Sequence, residues 1–268
     1  MSLGEWELDG QTDPGLKRKD APNQDAILIL PGDEARAPLL LVADGMGGHQ
    51  GGETASRIVV AAARETYLRA QTPIGDYGAL LADCIYAAHN AMRLQANKQP
   101  ELAGMGSTAV LAALDGETLH IANIGDSRAY LLRGREISQV SFDHSEVADL
   151  VRAGQIAPMQ ALQHPRRNRL TQSITPRRPT ISPFVGQVRL EPDDTILLCS
   201  DGLWGVVAEA VVQAVALEFS PAEAATKLVS LALARQAPDN VSVILARRRD
   251  ARPARLLAPD ADETNPGL

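Results

Sequence analysis

Short apolar runs that stop at an aspartate constrain this chain more than any other feature. "LLLVADG" closes in Asp44-Gly45, and "ILLCSDG" closes in Asp201-Gly202. Runs this short, bounded by turn residues, read as strands rather than helices. Three more aspartates stand at comparable points. Asp25 leads into "AILIL", Asp126 lies in "IANIGDSRAY", and Asp239 precedes "NVSVIL". A lone Asp-Gly is simply a turn. Five aspartates at strand edges mean more, because strand ends in a layered fold converge. Converging carboxylates repel and desolvate one another unless a cation neutralises them.

The rest of the chain sets those strands among helices. The segment to about Pro22 is polar and turn-rich. Strands are expected at 26–30 and 39–43, and helices over 53–71 and 76–99, where apolar residues recur at helical spacing. From Gly104 the pattern changes to short runs broken by turn signals such as Asp115-Gly116, which reads as an antiparallel meander. A short helix is expected at 143–154, and 156–183 reads as a long irregular insertion rich in Pro and Arg. A strand at 195–200, helices at 208–219 and 221–236, and a strand at 241–246 follow. The expected domain is 1–246, with a flap insertion at about 145–183. The stretch 247–268 has no periodicity and reads as a disordered tail. Strands and helices come in blocks, which favours an α+β layered fold over a doubly wound parallel sheet.

Composition narrows the chemistry. A formal net charge of -7 argues against a nucleic-acid partner. No stretch of 18 apolar residues offers a membrane span. The opening "MSLGEWELDG" lacks the basic-then-apolar order of a signal peptide, so a cytoplasmic location is expected. Cys84 and Cys199 lie among apolar neighbours and read as buried thiols. There is no CxxC or HExxH, and the 5 histidines are scattered. Hard oxygen ligands without sulfur or imidazole point to Mg²⁺ or Mn²⁺. The glycine-rich stretch after Asp44 is no Walker loop, because Glu53 stands where a lysine is required. It reads as backbone packed closely around a metal, with a glycine carbonyl as a candidate ligand.

Eight stretches, in order, carry a resemblance: "GLKRKDAPNQDA", "LLLVADGMGGHQGGETAS", "GMGSTAVLAAL", "IANIGDSRAYLL", "DHSEVADLVRAG", "HPRRNRLTQSI", "DTILLCSDGLWGVV" and "PDNVSVIL". Together they resemble the protein phosphatase 2C family, the metal-dependent Ser/Thr phosphatases, in its bacterial form. The resemblance implies a four-layer αββα sandwich, two antiparallel β-sheets flanked by helices. It also implies hydrolysis of phosphoserine and phosphothreonine in proteins, through a hydroxide shared by two Mn²⁺ or Mg²⁺ ions, with a third ion in bacterial members.

Carried over residue by residue, the resemblance makes Asp44 the bridging carboxylate and the carbonyl of Gly45 a ligand. Asp201 and Asp239 hold one ion, Asp25 serves the other ion through water, and Asp126 with Asp201 matches the third position. Asn240 would orient Asp239. Arg18 matches the phosphate-binding arginine, although its segment stands two residues further from "NQD" than is usual. Lys17 or Lys19 could replace its charge but not its planar fork. Gln24 occupies a position where many members carry Glu. Met46 stands where animal members carry a histidine, and His49 reads as a loop residue, with a general-acid role as the alternative. The implied partners are phosphorylated proteins, among them a bacterial Ser/Thr kinase and its substrates. The implied state is a monomer, with no nucleic-acid and no membrane partner. Two other readings stay open: a pseudophosphatase that binds without turnover, and a phosphatase of small phosphate esters.

Overall fold

The computed structural model describes residues 6–16 and 21–248, and of 49 and 50 the backbone only. In chain order, β1 (Trp6–Asp13), β2 (Asp25–Leu30) and β3 (Leu39–Met46) precede α1 (His49–Arg69) and α2 (Tyr77–Lys98). Next come β4 (Gly106–Ser107), β5 (Ala109–Asp115), β6 (Thr118–Ile124), β7 (Arg128–Arg133) and β8 (Glu136–Gln139). The flap carries α3 (Glu146–Arg152) and α4 (Pro158–Ala161). The chain then forms β9 (Phe184–Arg189), β10 (Thr195–Cys199), α5 (Asp201–Trp204), α6 (Glu209–Glu218), α7 (Pro221–Ala234) and β11 (Val241–Arg248).

Two antiparallel sheets result. One runs β1-β11-β10-β7-β8, and the other runs β2-β3-β5-β6-β9 with β4 on the end of β3. The strands are apolar throughout because both of their faces are covered. In β3, Leu39, Leu41 and Ala43 pack against α1 and α2, while Leu40 and Val42 face the other sheet. In β10, Leu197 and Cys199 face the cluster built with α6 and α7, while Ile196 and Leu198 point inward. The layers are therefore helix, sheet, sheet, helix, as the resemblance implied. Each fully buried Leu, Ile or Val contributes about 1.5–3 kcal/mol, so the central layer of inward side chains fixes how the two sheets face each other.

Helix ends follow their local chemistry. Asp76 caps α2 by accepting the Ala79 N–H at 3.0 Å. Ser220, Pro221 and Glu223 form a capping box with proline in the first turn of α7.

Several sequence expectations need correction. The polar N-terminal stretch contains β1, an edge strand that pairs with β11 along 6–13. An edge strand has one partner and needs few apolar residues. Helix α1 starts at His49, four residues earlier than expected, so part of the glycine-rich stretch is helical. Asp44 and Gly45 lie inside β3 rather than beyond its end. Strand β9 was not anticipated, and its side chains alternate between half-buried and exposed. Arg247 and Arg248 belong to β11, not to a tail. The remainder of the expected tail, 249–268, lies outside the described residues.

Candidate metal centre

The layer of inward-facing side chains changes chemistry at one end of the sandwich. Side chains alternate along a strand, so residues two apart share a face. One step of two beyond inward-facing Val42 is Asp44, and beyond Ile27 is Asp25. The same step leads from Val110 to Thr108, from Ala129 to Ser127, from Leu198 to Ser200 and from Ile244 to Ser242. Thr108, Ser127, Ser200 and Ser242 are all buried. The apolar layer between the sheets thus ends in a buried polar tier drawn from both of them.

This tier is tightly bonded. Asp25 and Asp44 are direct cross-strand partners. Oδ2 of Asp25 accepts from Ser200 Oγ and from Ser242 Oγ, each at 2.7 Å. Ser242 Oγ also shares a hydrogen bond with Thr12 Oγ1 at 2.8 Å, and Ser200 Oγ accepts the Ser242 N–H at 3.0 Å. Thr108 Oγ1 accepts the Asp44 N–H at 3.1 Å and bonds Ser127 Oγ at 2.7 Å.

Two loops and the start of a helix supply the remaining carboxylates. Asp126 lies in the link between β6 and β7, Asp201 opens α5, and Asp239 precedes β11. Trp204 Nε1 donates to the Asp126 carbonyl at 3.0 Å. The Arg128 guanidinium lies 3.8 Å from the centre of the Trp204 ring and forks onto Asp143. The "GDSR" and "SDGLW" stretches are thereby locked together.

A cavity of about 850 Å³ opens on this tier. Asp44, Gly45, Asp126, Asp201 and Asp239 all line it. Asp25 does not; it stands behind Asp44, bonded to its two serines. Arg18, Lys17 and Lys19 lie outside the described residues, as does the side chain of His49. The flap, unreadable by periodicity, contributes Asn168, Leu170 and Ser173. It is held there by isolated bridges from Ser145 to Leu170 and from Ser107 to Ile174.

Close approach explains the glycines. A Cβ on Gly45 would lie 2.0 Å from the Gly52 carbonyl oxygen, and one on Gly202 would lie 2.0 Å from that of Asn240. Any larger residue would push β3 off α1, or α5 off β11. Gln24 is a strut of the same packing. Its carbonyl accepts the Gly45 N–H at 3.0 Å, and its side-chain amide donates to Gly48 O at 2.7 Å. Asn240 meets Asp239 through its main chain and uses its side chain elsewhere. Its side chain accepts the Gln24 N–H at 3.0 Å and donates to Pro14 O at 2.8 Å, while only its backbone N–H meets Asp239 Oδ1. It ties together the two ends of the segment that carries Arg18.

The carboxylates are held against their charge. Burial, reinforced by Asp25, Asp201, Asp126 and Asp239, pushes Asp44 well above the usual carboxylate range. Burial raises Asp25 to about 7 despite its two serine donors, with Asp201 and Asp239 adding to the shift. Burial, then Asp201 and Asp143, raises Asp126 to about 8. Like charges directly opposite each other on paired strands are destabilising. Oδ1 of Asp25 is buried without a hydrogen-bond partner. A carboxylate-rich, sulfur-free set of this kind fits hard divalent cations. Among the described residues no three carboxylate, imidazole or thiol side chains enclose an ion by themselves.

The model of the family described as Protein phosphatase 2C matches residues 15–236. The chain belongs to the protein phosphatase 2C family. It is 38% identical over 237 residues to the serine/threonine protein phosphatase PstP of Mycobacterium tuberculosis, a match covering 88% of this chain and 44% of that protein. The chain thus spans less than half the length of that curated relative. It is 34% identical to the serine/threonine phosphatase stp of Listeria innocua, covering 80% of this chain and 85% of the relative. A crystal structure of the PstP catalytic domain in complex with two manganese ions superposes with a TM-score of 0.79 at 35% identity, covering 91% of this chain and 99% of that one. In this chain the aspartate-lined cavity is the candidate site.

Proposed function

We propose that the protein hydrolyses phosphoserine and phosphothreonine in proteins at a centre of two Mn²⁺ or Mg²⁺ ions. The observation that carries this reading is the convergence of Asp44, Asp126, Asp201 and Asp239 on one cavity, with Asp25 behind it and burial raising three of the five carboxyl groups. Asp44 and the Gly45 carbonyl, with Asp201 and Asp239, are the ligands of the pair, and Asp126 with Asp201 serves a third ion. Bound there, the ions supply an acidified water and positive charge for the phosphoryl oxygens.

The chain's own residues do the rest. Ser200 and Ser242 hold Asp25 in one orientation behind Asp44, where it would serve an ion through water. Thr108 fixes the backbone of Asp44. Arg18 holds the phosphate by a charge-assisted fork, on a segment tethered by Asn240. Asn168 and Ser173 offer the peptide an amide and a hydroxyl from the flap. No side-chain nucleophile is required. Burial pushes the Cys199 thiol up to about 12, and the Ser200 hydroxyl is committed to Asp25.

Gln24, where many members carry Glu, acts here as a packing strut. The substrates in this reading are phosphorylated proteins, among them a bacterial Ser/Thr kinase and its targets, and the protein acts as a monomer in the cytoplasm. Among the described residues no helix is long and apolar enough to cross a membrane. The test is an assay of a phosphopeptide and p-nitrophenyl phosphate with and without Mn²⁺. Mn²⁺-dependent release of phosphate from the peptide is the expected result. Turnover of the small ester alone would move the assignment to small phosphate esters, and turnover of neither would overturn it.

A further inference from the structure

A second cavity, of about 700 Å³, lies on the other side of the flap from the aspartates. The two share a wall. Along 168–173 the chain gives Asn168, Leu170 and Ser173 to the first cavity, and Thr171 and Gln172 to the second. The floor of the second is a stacked pair, Phe142 on Phe184, with ring centroids 5.7 Å apart. His144 is 7% exposed and lines this cavity, its ring set edge-on to Phe142. Two arginines stand at the walls. Arg152 lies over the Phe142 ring and is paired with Asp149, the one carboxylate in the lining. The side chain of Arg178 has no ion pair among the described residues, although the flap lies on a protein of net charge -7. The hydroxyl of Thr180 completes the polar rim.

A guanidinium without an ion pair, at the wall of a cavity floored by aromatic rings, makes an anion on an apolar stem the matching guest. We propose that this cavity is a second substrate subsite, which takes an anionic side chain of the protein substrate flanking the phosphoserine being hydrolysed. The inference rests on the proposed phosphatase activity. Because the wall is a single stretch of flap backbone, a peptide lying across the flap's rim reaches both cavities within a few residues, at about 3.3 Å per extended residue. The guest's charge meets Arg178, and its apolar stem lies on the phenylalanine pair.

The test compares kcat/KM on matched phosphoserine peptides that carry Ala, Glu or a non-hydrolysable phosphonate analogue of phosphothreonine three to five residues from the scissile group, together with p-nitrophenyl phosphate. The wild type is expected to prefer the acidic peptides by about tenfold, the worth of one charge-assisted hydrogen bond. The Glu and phosphonate arms tell which anion is taken. Arg178→Ala should abolish the preference through KM while leaving the Ala peptide and p-nitrophenyl phosphate unaffected. Equal kcat/KM on all three peptides, or a preference that survives Arg178→Ala, overturns the subsite. Mn²⁺-dependent hydrolysis of the Ala peptide in the same experiment shows that the phosphatase reading stands independently of that outcome.

Discussion

Asp44 occupies the place where the alternation of β3 would otherwise put a third inward apolar side chain. It faces Asp25 across the strand pair, and burial holds both above the usual carboxylate range. Its replacement by Asn keeps shape and removes charge. Asp44→Asn is expected to lower kcat/KM at least about a thousandfold, the scale of several kcal/mol of lost metal-centred stabilisation. The same change should stabilise the chelator-treated protein at pH 8, raising Tm by about 2–4 °C for each kcal/mol of relieved repulsion. Scanning calorimetry with and without Mn²⁺ reads both effects, and a variant that kept the Mn²⁺-induced gain in Tm would remove Asp44 from the ligand set. Asp126 lies in the link after β6, and its carbonyl is fixed by Trp204. Asp126→Ala should keep two ions and lose the third, with turnover falling more on phosphoproteins than on p-nitrophenyl phosphate. Calorimetric titration with Mn²⁺ decides it, and unchanged stoichiometry would make Asp126 a turn residue.

At the scale of elements, the site is two strand pairs and a tether. Asn240, just ahead of β11, holds Pro14 at the end of β1 and Gln24 at the start of β2. Asn240→Ala leaves the Gln24 N–H buried without its acceptor, a cost of about 1–3 kcal/mol. It should raise KM for a phosphopeptide about tenfold while lowering kcat less, because the freed segment carries Arg18 and not the ion ligands; a fall in kcat at unchanged KM would refute the tether. Much of this was legible in the chain. Strands covered on both faces announced themselves as unbroken apolar runs, and the five aspartates were visible because each interrupts or borders one. Thr108, Ser127, Ser200 and Ser242 are harder to read. Their signal, a small polar residue two steps beyond an inward apolar one, emerges only when it is known which face of each strand points inward. Strands β1 and β9 escaped because an edge strand and a half-exposed strand need few apolar residues. Asn168 and Ser173 had no periodic signal at all, since isolated bridges rather than a regular element hold the flap over the cavity.

For the whole molecule, the polar tier places a conflict between folding and charge at the centre of the sandwich. The apolar layer between the sheets stabilises only the arrangement that also brings the carboxylates together. Their folded-state values, about 7 for Asp25, about 8 for Asp126 and a further raised Asp44, lie above the ordinary unfolded value near 4. The unfolded chain therefore releases these protons at lower pH than the folded one. Without metal, the stability contributed by the protonated forms is fully present below about pH 4 and is lost as pH rises through 7 and 8. A divalent cation reverses the balance, because it binds the deprotonated folded site and the unfolded chain offers no such site. The Tm of chelator-treated protein should accordingly fall between pH 5.5 and 8, once the change of other titrating groups is removed by comparison with Asp44→Asn. The gain in Tm on adding Mn²⁺ should grow across the same interval, and phosphate release should rise with it. A Mn²⁺-induced gain that stayed constant from pH 5.5 to 8 would mean that the carboxylates are already ionised in the folded protein. The cation would then complete the catalytic site without relieving any strain of folding.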